Sequence, residues 1–169
     1  MNPVRKPNRL RNFDYSEDGA YFITICTKDR KQILSRITAA DESVPPVLHL
    51  TEVGRIVNAV FTAIPEHYPN VLVDHFVIMP NHIHLLLWIK HRGRSVSAPT
   101  DAQNPSIDRI IRHCKAFVTR KTGSTIWQKG FYDHVIRDER DYLIRAQYIE
   151  NNPAKWAEDE YNINDLSLS

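Results

Sequence analysis

Two short patterns in this chain carry residue types that can do chemistry. His82-Ile83-His84 lies in an apolar run ending at Ile89, and Tyr148 is followed four positions later by Asn152. In a strand, residues two apart point to the same face, roughly 6.6–6.8 Å apart along the chain. His82 and His84 therefore project together with Leu86 and Trp88, while Ile83, Leu85, Leu87 and Ile89 project the other way. Two neighbouring neutral imidazoles can share one divalent cation; they can equally be two partly buried histidines hydrogen-bonded to their surroundings. Tyr148 and Asn152, four apart, share one face of a helix, so a phenol oxygen and an amide oxygen can approach the same ion. Tyr148 also fits an amphipathic tyrosine with its ring packed and its hydroxyl wet. Asn152 precedes Pro153, which disfavours helical backbone at Asn152. A phenol with a pKa of about 10 is a poor nucleophile at neutral pH. A nearby divalent cation polarises a phosphate and lowers the cost of phenolate. Taken together, the four residues make sense as metal-assisted phosphoryl transfer through a covalent phosphotyrosine.

The elements that must hold these residues read as alternating strands and helices. Residues 20–27 are rich in β-branched and aromatic side chains and predict a strand. Residues 36–50 contain Pro45-Pro46 and no periodic pattern, so they read as a loop or insertion. Val53, Ile56, Val57, Val60, Phe61 and Ile64 recur three and four apart, one apolar stripe of a helix. Thr51 is placed to cap it, and Pro65 and Pro69 mark its exit. Residues 71–79 and 82–89 predict two strands joined by Pro80-Asn81 as a hairpin. Ile107, Ile110, Ile111, Cys114, Phe117 and Val118 predict a second helix, capped by Ser106 and followed by Gly123. Residues 131–137 predict a fourth strand, and Asp138 caps a third helix running to about Asn151. Strand, helix, strand, strand, helix, strand is the α+β, ferredoxin-like βαββαβ sandwich: a four-stranded antiparallel sheet with two helices on one face. An added C-terminal helix carries Tyr148, and the other face of the sheet is expected to be open to a ligand.

Composition narrows the classes. With 169 residues, 42% hydrophobic and 25% charged, the chain suits one globular domain. The run from Ile83 to Ile89 is far short of the roughly 20 apolar residues that cross a bilayer. The basic start has no apolar stretch behind it and does not read as a secretory signal. Cys26 and Cys114 are too few for a disulfide framework, so a cytoplasmic location with no membrane partner is expected. A His-Glu-x-x-His helix and a Cys-x-x-Cys pair are absent, which removes the zinc-protease and zinc-finger readings. The net charge of +2 hides an asymmetry: residues 1–137 hold 19 Lys and Arg against 12 Asp and Glu, and residues 138–169 hold 3 against 8. A basic body permits a polyanionic partner without requiring one.

Three stretches together are specific. His75-Phe-Val-Ile-Met-Pro-Asn-His-Ile-His-Leu-Leu-Leu-Trp88 resembles the histidine–hydrophobic–histidine motif of HUH nucleases. With Trp127 to Asp138 and Arg145 to Lys155, in that order, the chain resembles a REP-associated tyrosine transposase, a relative of the small single-tyrosine HUH transposases of insertion sequences. The resemblance covers roughly residues 8–156 and implies a single HUH domain over 1–169, with a basic N-terminal arm (1–12), a mobile loop (91–105) and an acidic tail (157–169). It implies a metal-dependent single-stranded DNA transesterase that cuts and rejoins DNA at hairpin-forming, REP-like repeats through a 5′-phosphotyrosine intermediate. Carried over by residue, Tyr148 is the catalytic nucleophile, and His82 and His84 are metal ligands. Asn152 stands where relatives supply a third polar ligand, often glutamine. Mg2+ or Mn2+ is implied, and Mn2+ suits imidazole better. The protein is expected to act as a monomer or homodimer.

Arg5, Lys6, Arg9 and Arg11 in the arm, and Arg92 and Arg94 in the loop, are expected DNA-backbone contacts, free solvation being the alternative. Asp133 and His134 could join the site, or His134 could simply complete a hydrogen bond. His75 reads as an ordinary sheet residue, and Tyr142 falls nearly opposite Tyr148 on its helix. The competing functional class is a non-catalytic nucleic-acid-binding module, a repressor or RNA binder on the same fold. Against an RNA-binding sheet, the third strand carries His82 and His84 in place of stacking aromatics.

Overall fold

A computed structural model describes residues 18–38, 43–90 and 105–162. Arg5, Lys6, Arg9, Arg11, Arg92 and Arg94 lie outside the described residues. In chain order the elements are β1 (Gly19–Cys26), a 3-10 turn (Lys28–Arg30), β2 (Ser35–Thr38), β3 (Val47–Leu50), α1 (Glu52–Thr62) and a short α2 (Ile64–His67). There follow β4 (Val71–Ile78), β5 (His82–Ile89), α3 (Ile107–Thr122), β6 (Tyr132–Ile136), α4 (Glu139–Asn151) and a second 3-10 segment (Pro153–Glu158).

The sheet order is β4-β5-β1-β6, antiparallel at every step. That is the expected ferredoxin-like order, with β1 and β5 at the centre. Both central strands are buried along nearly their whole length, which is why their sequences are almost continuously apolar. Tyr21, Ile23 and Ile25 of β1 and Ile83, Leu85 and Leu87 of β5 enter one core with Val57 and Phe61 of α1 and Ile110, Ile111 and Val118 of α3. Each fully buried aliphatic side chain there contributes about 1.5–3 kcal/mol relative to exposure.

All three helix starts are fixed by the expected side chains. The Thr51 hydroxyl accepts from Gly54 N at 3.0 Å, Ser106 Oγ from Arg109 N at 3.3 Å, and Asp138 Oδ1 from Asp141 N at 2.8 Å. Gly123 closes α3 with φ +72, the left-handed conformation that glycine adopts without strain.

Three expectations are corrected. Residues 36–50 are not a plain loop, because β2 and β3 pair as a small antiparallel sheet. Four-residue strands are too short for alternation to register in the sequence. The hairpin locks onto α1, where Thr51 N donates to Leu34 O at 3.0 Å and a Cβ on Gly54 would lie 1.9 Å from that same oxygen. Ile64 does not close the α1 stripe, since α1 ends at Thr62 ahead of Pro65; it opens α2, with Pro65 in the first turn, where its missing N–H costs nothing. The face of the sheet opposite α1 and α3 is not open: α4 crosses it, packing Ala146 and Ile149 onto Phe22 and Leu86.

Candidate active site

The covered face is where the expected residues meet. On β5, His82 and His84 point away from the apolar core, 4.5 Å apart between ring centroids. Both are essentially fully buried, at 0% and 1% exposure. Each is held at Nδ1. His84 Nδ1 is 2.8 Å from the Thr24 hydroxyl, which β1 places directly opposite. His82 Nδ1 is 2.8 Å from Asn81 Oδ1. The Asn81 amide nitrogen donates to Arg30 O at 3.2 Å and Tyr161 O at 2.7 Å. Its Oδ1 is thus an acceptor, His82 Nδ1 carries the proton, and His82 Nε2 presents a lone pair.

Neither Nε2 has a hydrogen-bond donor. Burial, with the neighbouring His84 and the Arg30 charge adding to it, pushes His82 down to about 2. Burial, helped by the Arg145 charge, pushes His84 down to about 3. Both rings are therefore neutral at physiological pH, the form that ligates metals.

Tyr148 reaches the pair from α4. Its ring centroid lies 5.1 Å from that of His84, edge-on, and 5.9 Å from Phe22. At 37% exposure it is open to solvent on one side. Burial, with the Asp159 and Glu160 carboxylates, raises its pKa, while the Asn152 amide and Arg145 pull it back. Asn152 keeps helical backbone (φ −59, ψ −42) in spite of Pro153, and the chain continues as a 3-10 turn. Its amide therefore stays on the Tyr148 side of α4, 3% exposed. Nδ2 donates to Asp159 Oδ2 at 3.1 Å, and Oδ1 has no donor.

Three buried polar atoms without a hydrogen-bond partner thus belong to the two imidazoles and the amide singled out in the sequence. A buried acceptor with no partner is costly, about 1–3 kcal/mol, and a cation would relieve all three. Among the described residues, no group of three or more His, Cys, Asp and Glu side chains forms a metal cluster. Two imidazole nitrogens and an amide oxygen are ligand types that Mg2+ or Mn2+ would accept.

Sequence reasoning missed the C-terminal segment. The Asp159 side chain is 2% exposed, with Oδ2 3.9 Å from His82 Nε2. The Tyr161 ring sits 4.6 Å from His82, and Arg30 lies over its other face at 4.4 Å. Asp29 and Arg30 have φ values of +56 and +55, unusual for residues with a Cβ. No spacing in the sequence links positions 30, 82 and 161; only the turn after Pro153 brings the third to the other two.

The other residues weighed in the sequence lie elsewhere, His75 and Tyr142 as expected. Asp133 pairs with Ile23 and so belongs to the helix-covered face. His134 Nε2 hydrogen-bonds Asp141 Oδ2 at 2.7 Å instead of joining the imidazoles. His75 stands between Asp74 and Glu150, 3.4 Å from each. The Tyr142 hydroxyl donates to Asp74 at a register irregularity of β4, away from Tyr148. Among the described residues, no helix is long and apolar enough to cross a membrane.

The comparisons with known proteins give the family and the fold. An uncharacterised protein of Haemophilus influenzae is 34% identical over 92% of this chain and 92% of its own length. A second Haemophilus influenzae protein, described provisionally as a REP-associated tyrosine transposase, is 27% identical over 84% of this chain and 74% of its own. A solved structure of a REP-associated tyrosine transposase bound to a REP hairpin has the same fold, with a TM-score of 0.62 at 21% identity over 90% of this chain and 76% of that one. The model of IS200-like transposases matches residues 16–152, a span that takes in both imidazoles, the phenol and the amide. The chain therefore belongs to the IS200-like transposase family.

Proposed function

We propose that this protein is a metal-dependent single-stranded DNA transesterase that cuts and rejoins DNA beside hairpin-forming, REP-like repeats. The observation that carries the reading is the set of buried, donorless atoms His82 Nε2, His84 Nε2 and Asn152 Oδ1, with the half-open phenol of Tyr148 against His84. His82, His84 and Asn152 would hold Mg2+ or Mn2+. Bound there, the cation supplies charge that polarises a phosphodiester and eases loss of the phenol proton.

The chain's own residues do the rest. Asn81 and Thr24 orient the imidazoles through Nδ1. Phe22 backs both His84 and Tyr148, at 5.2 and 5.9 Å, and limits the swing of the phenol. Tyr148 Oη attacks phosphorus as the P–O3′ bond breaks. The phenol proton passes to solvent, and the departing oxygen takes a proton to become a free 3′-hydroxyl. The DNA stays joined to Tyr148 through its 5′-phosphate, and the hydroxyl can later reverse the step and reseal a strand. The exposed side of Tyr148 suits the single-stranded flank of a hairpin, whose backbone is accessible.

The test is incubation with a hairpin-bearing single-stranded oligonucleotide and Mn2+, resolved on a denaturing gel. A protein–DNA adduct is expected with the wild type and none with Tyr148→Phe. His82→Ala is expected to lose cleavage and weaken Mn2+ binding while keeping most DNA affinity, since affinity comes chiefly from phosphate contacts. Tight DNA binding with no adduct in any divalent metal would replace this reading by a non-catalytic binding module.

A further inference from the structure

Arg145 lies one helical turn before Tyr148 on α4, three residues apart and so on the same side. Its guanidinium carbon sits 5.1 Å over the ring of Phe22. The same ring stacks on His84 at 5.2 Å and meets the edge of Tyr148 at 5.9 Å. One aromatic ring thus has the second imidazole, the phenol and a fixed positive charge around it. Among the described residues the ionic partner of Arg145 is Asp141, whose Oδ1 is 3.5 Å from Nε. Nε is buried without a hydrogen bond. The other oxygen of Asp141 is engaged by His134 at 2.7 Å. The carboxylate therefore steers the guanidinium from its inner side and leaves the terminal nitrogens, the fork that grips phosphate oxygens in pairs, without a hydrogen-bonded partner among the described residues.

The electrostatics of the proposed step call for such a group. A phosphodiester carries one negative charge and gains a second as the phenol oxygen bonds to it. Arginine stays protonated throughout, and the Arg145 charge is felt by both His84 and Tyr148. A purely structural tie between α4 and its own first turn would add little, since partly exposed ion pairs are weak.

We propose that Arg145 is a further catalytic residue: its guanidinium grips a non-bridging oxygen of the scissile phosphate and neutralises the charge that builds up as Tyr148 attacks, with Asp141 and His134 as positioning residues. This inference rests on the transesterase reading. Its test is chosen to separate the two. The cleavage position is mapped with the wild type in Mn2+. Single-turnover adduct formation is then measured on that oligonucleotide and on one carrying a neutral methylphosphonate at the mapped position.

Arg145→Ala is expected to slow the phosphodiester reaction by about 10²–10³-fold, the usual effect of removing one charge-stabilising donor. The methylphosphonate lacks one charged non-bridging oxygen and carries one negative charge fewer at every stage, so there the variant and wild type are expected to agree within about threefold. Arg145→Lys, which keeps the charge and loses the fork, is expected to recover part of the phosphodiester rate and serves if the alanine variant does not fold. A wild-type rate in both variants would overturn the assignment, as would equal losses on both substrates. If the wild type forms no Tyr148-dependent adduct, the transesterase reading falls and takes this inference with it.

Discussion

β1 and β5 give alternate residues to two faces of one sheet. Toward α1 and α3 they send Tyr21, Ile23, Ile25, Ile83, Leu85 and Leu87. Toward α4 they send Phe22, Thr24, His82, His84 and Leu86. Burial is nearly complete on both sides, but what is buried differs. On the first face apolar surface leaves water and packs, which stabilises the fold. On the second, neutral imidazoles are desolvated and their outward nitrogens have no donor, which costs stability. Expensive burial of that kind in a folded protein is where a site is expected.

The largest contrast comes from substituting adjacent residues of β5. Leu85→Ala is expected to destabilise by about 2–5 kcal/mol, the cost of a core cavity, and to spare adduct formation while the protein remains folded. The paired change Thr24→Val with His84→Leu removes both ends of one hydrogen bond. It is expected to leave stability within about 1 kcal/mol of wild type, or to raise it, while abolishing adduct formation. Urea denaturation beside the gel assay reads both. If the double variant loses as much stability as Leu85→Ala, the two faces are not different in kind.

A smaller effect tests the apolar side through its backbone. Gly54→Ala sets a methyl 1.9 Å from Leu34 O, so α1 and the β2–β3 hairpin must separate. A loss of about 1–3 kcal/mol is expected, typical of overpacking, without change in Mn2+ affinity. A neutral result would show that this seam yields freely.

The smallest effect per unit of the variable is in pH. Both histidines have folded pKa values below the ordinary 6.5. Below that value the unfolded chain takes up protons that the folded chain refuses, so stability falls as pH falls. The expected slope is about 1 kcal/mol per pH unit for each histidine between about pH 6 and pH 4, and these two residues contribute almost none above about pH 8. Thr24→Val with His84→Leu is expected to remove about half of it. An unchanged slope would assign the acid sensitivity to other groups.

The apolar face was the legible one. Its stripes on α1 and α3, with their capping Thr51 and Ser106, follow from local periodicity and hydrogen-bond demand alone. The imidazole pair was legible as a pair, because strand alternation sets His82 beside His84. That α4 would cover them was not legible, because its apolar residues do not form one stripe. Leu143 and Ile144 are 56% and 54% exposed, and smaller Ala146 is buried with Ile149. Arg145, Asp159 and Tyr161 escaped for another reason. They reach the site through a helix crossing the sheet and a chain reversal after Pro153, and local periodicity announces neither event. The β2–β3 hairpin escaped by brevity.

Asn81 has a consequence for how the site can open. Its oxygen sets the His82 proton, and its nitrogen tethers the carbonyls of Arg30 and Tyr161. If an incoming strand lifts the chain end from His82, one tether breaks and the other still fixes the amide. The imidazole keeps its tautomer while its cover leaves, so Nε2 presents its lone pair throughout the exchange.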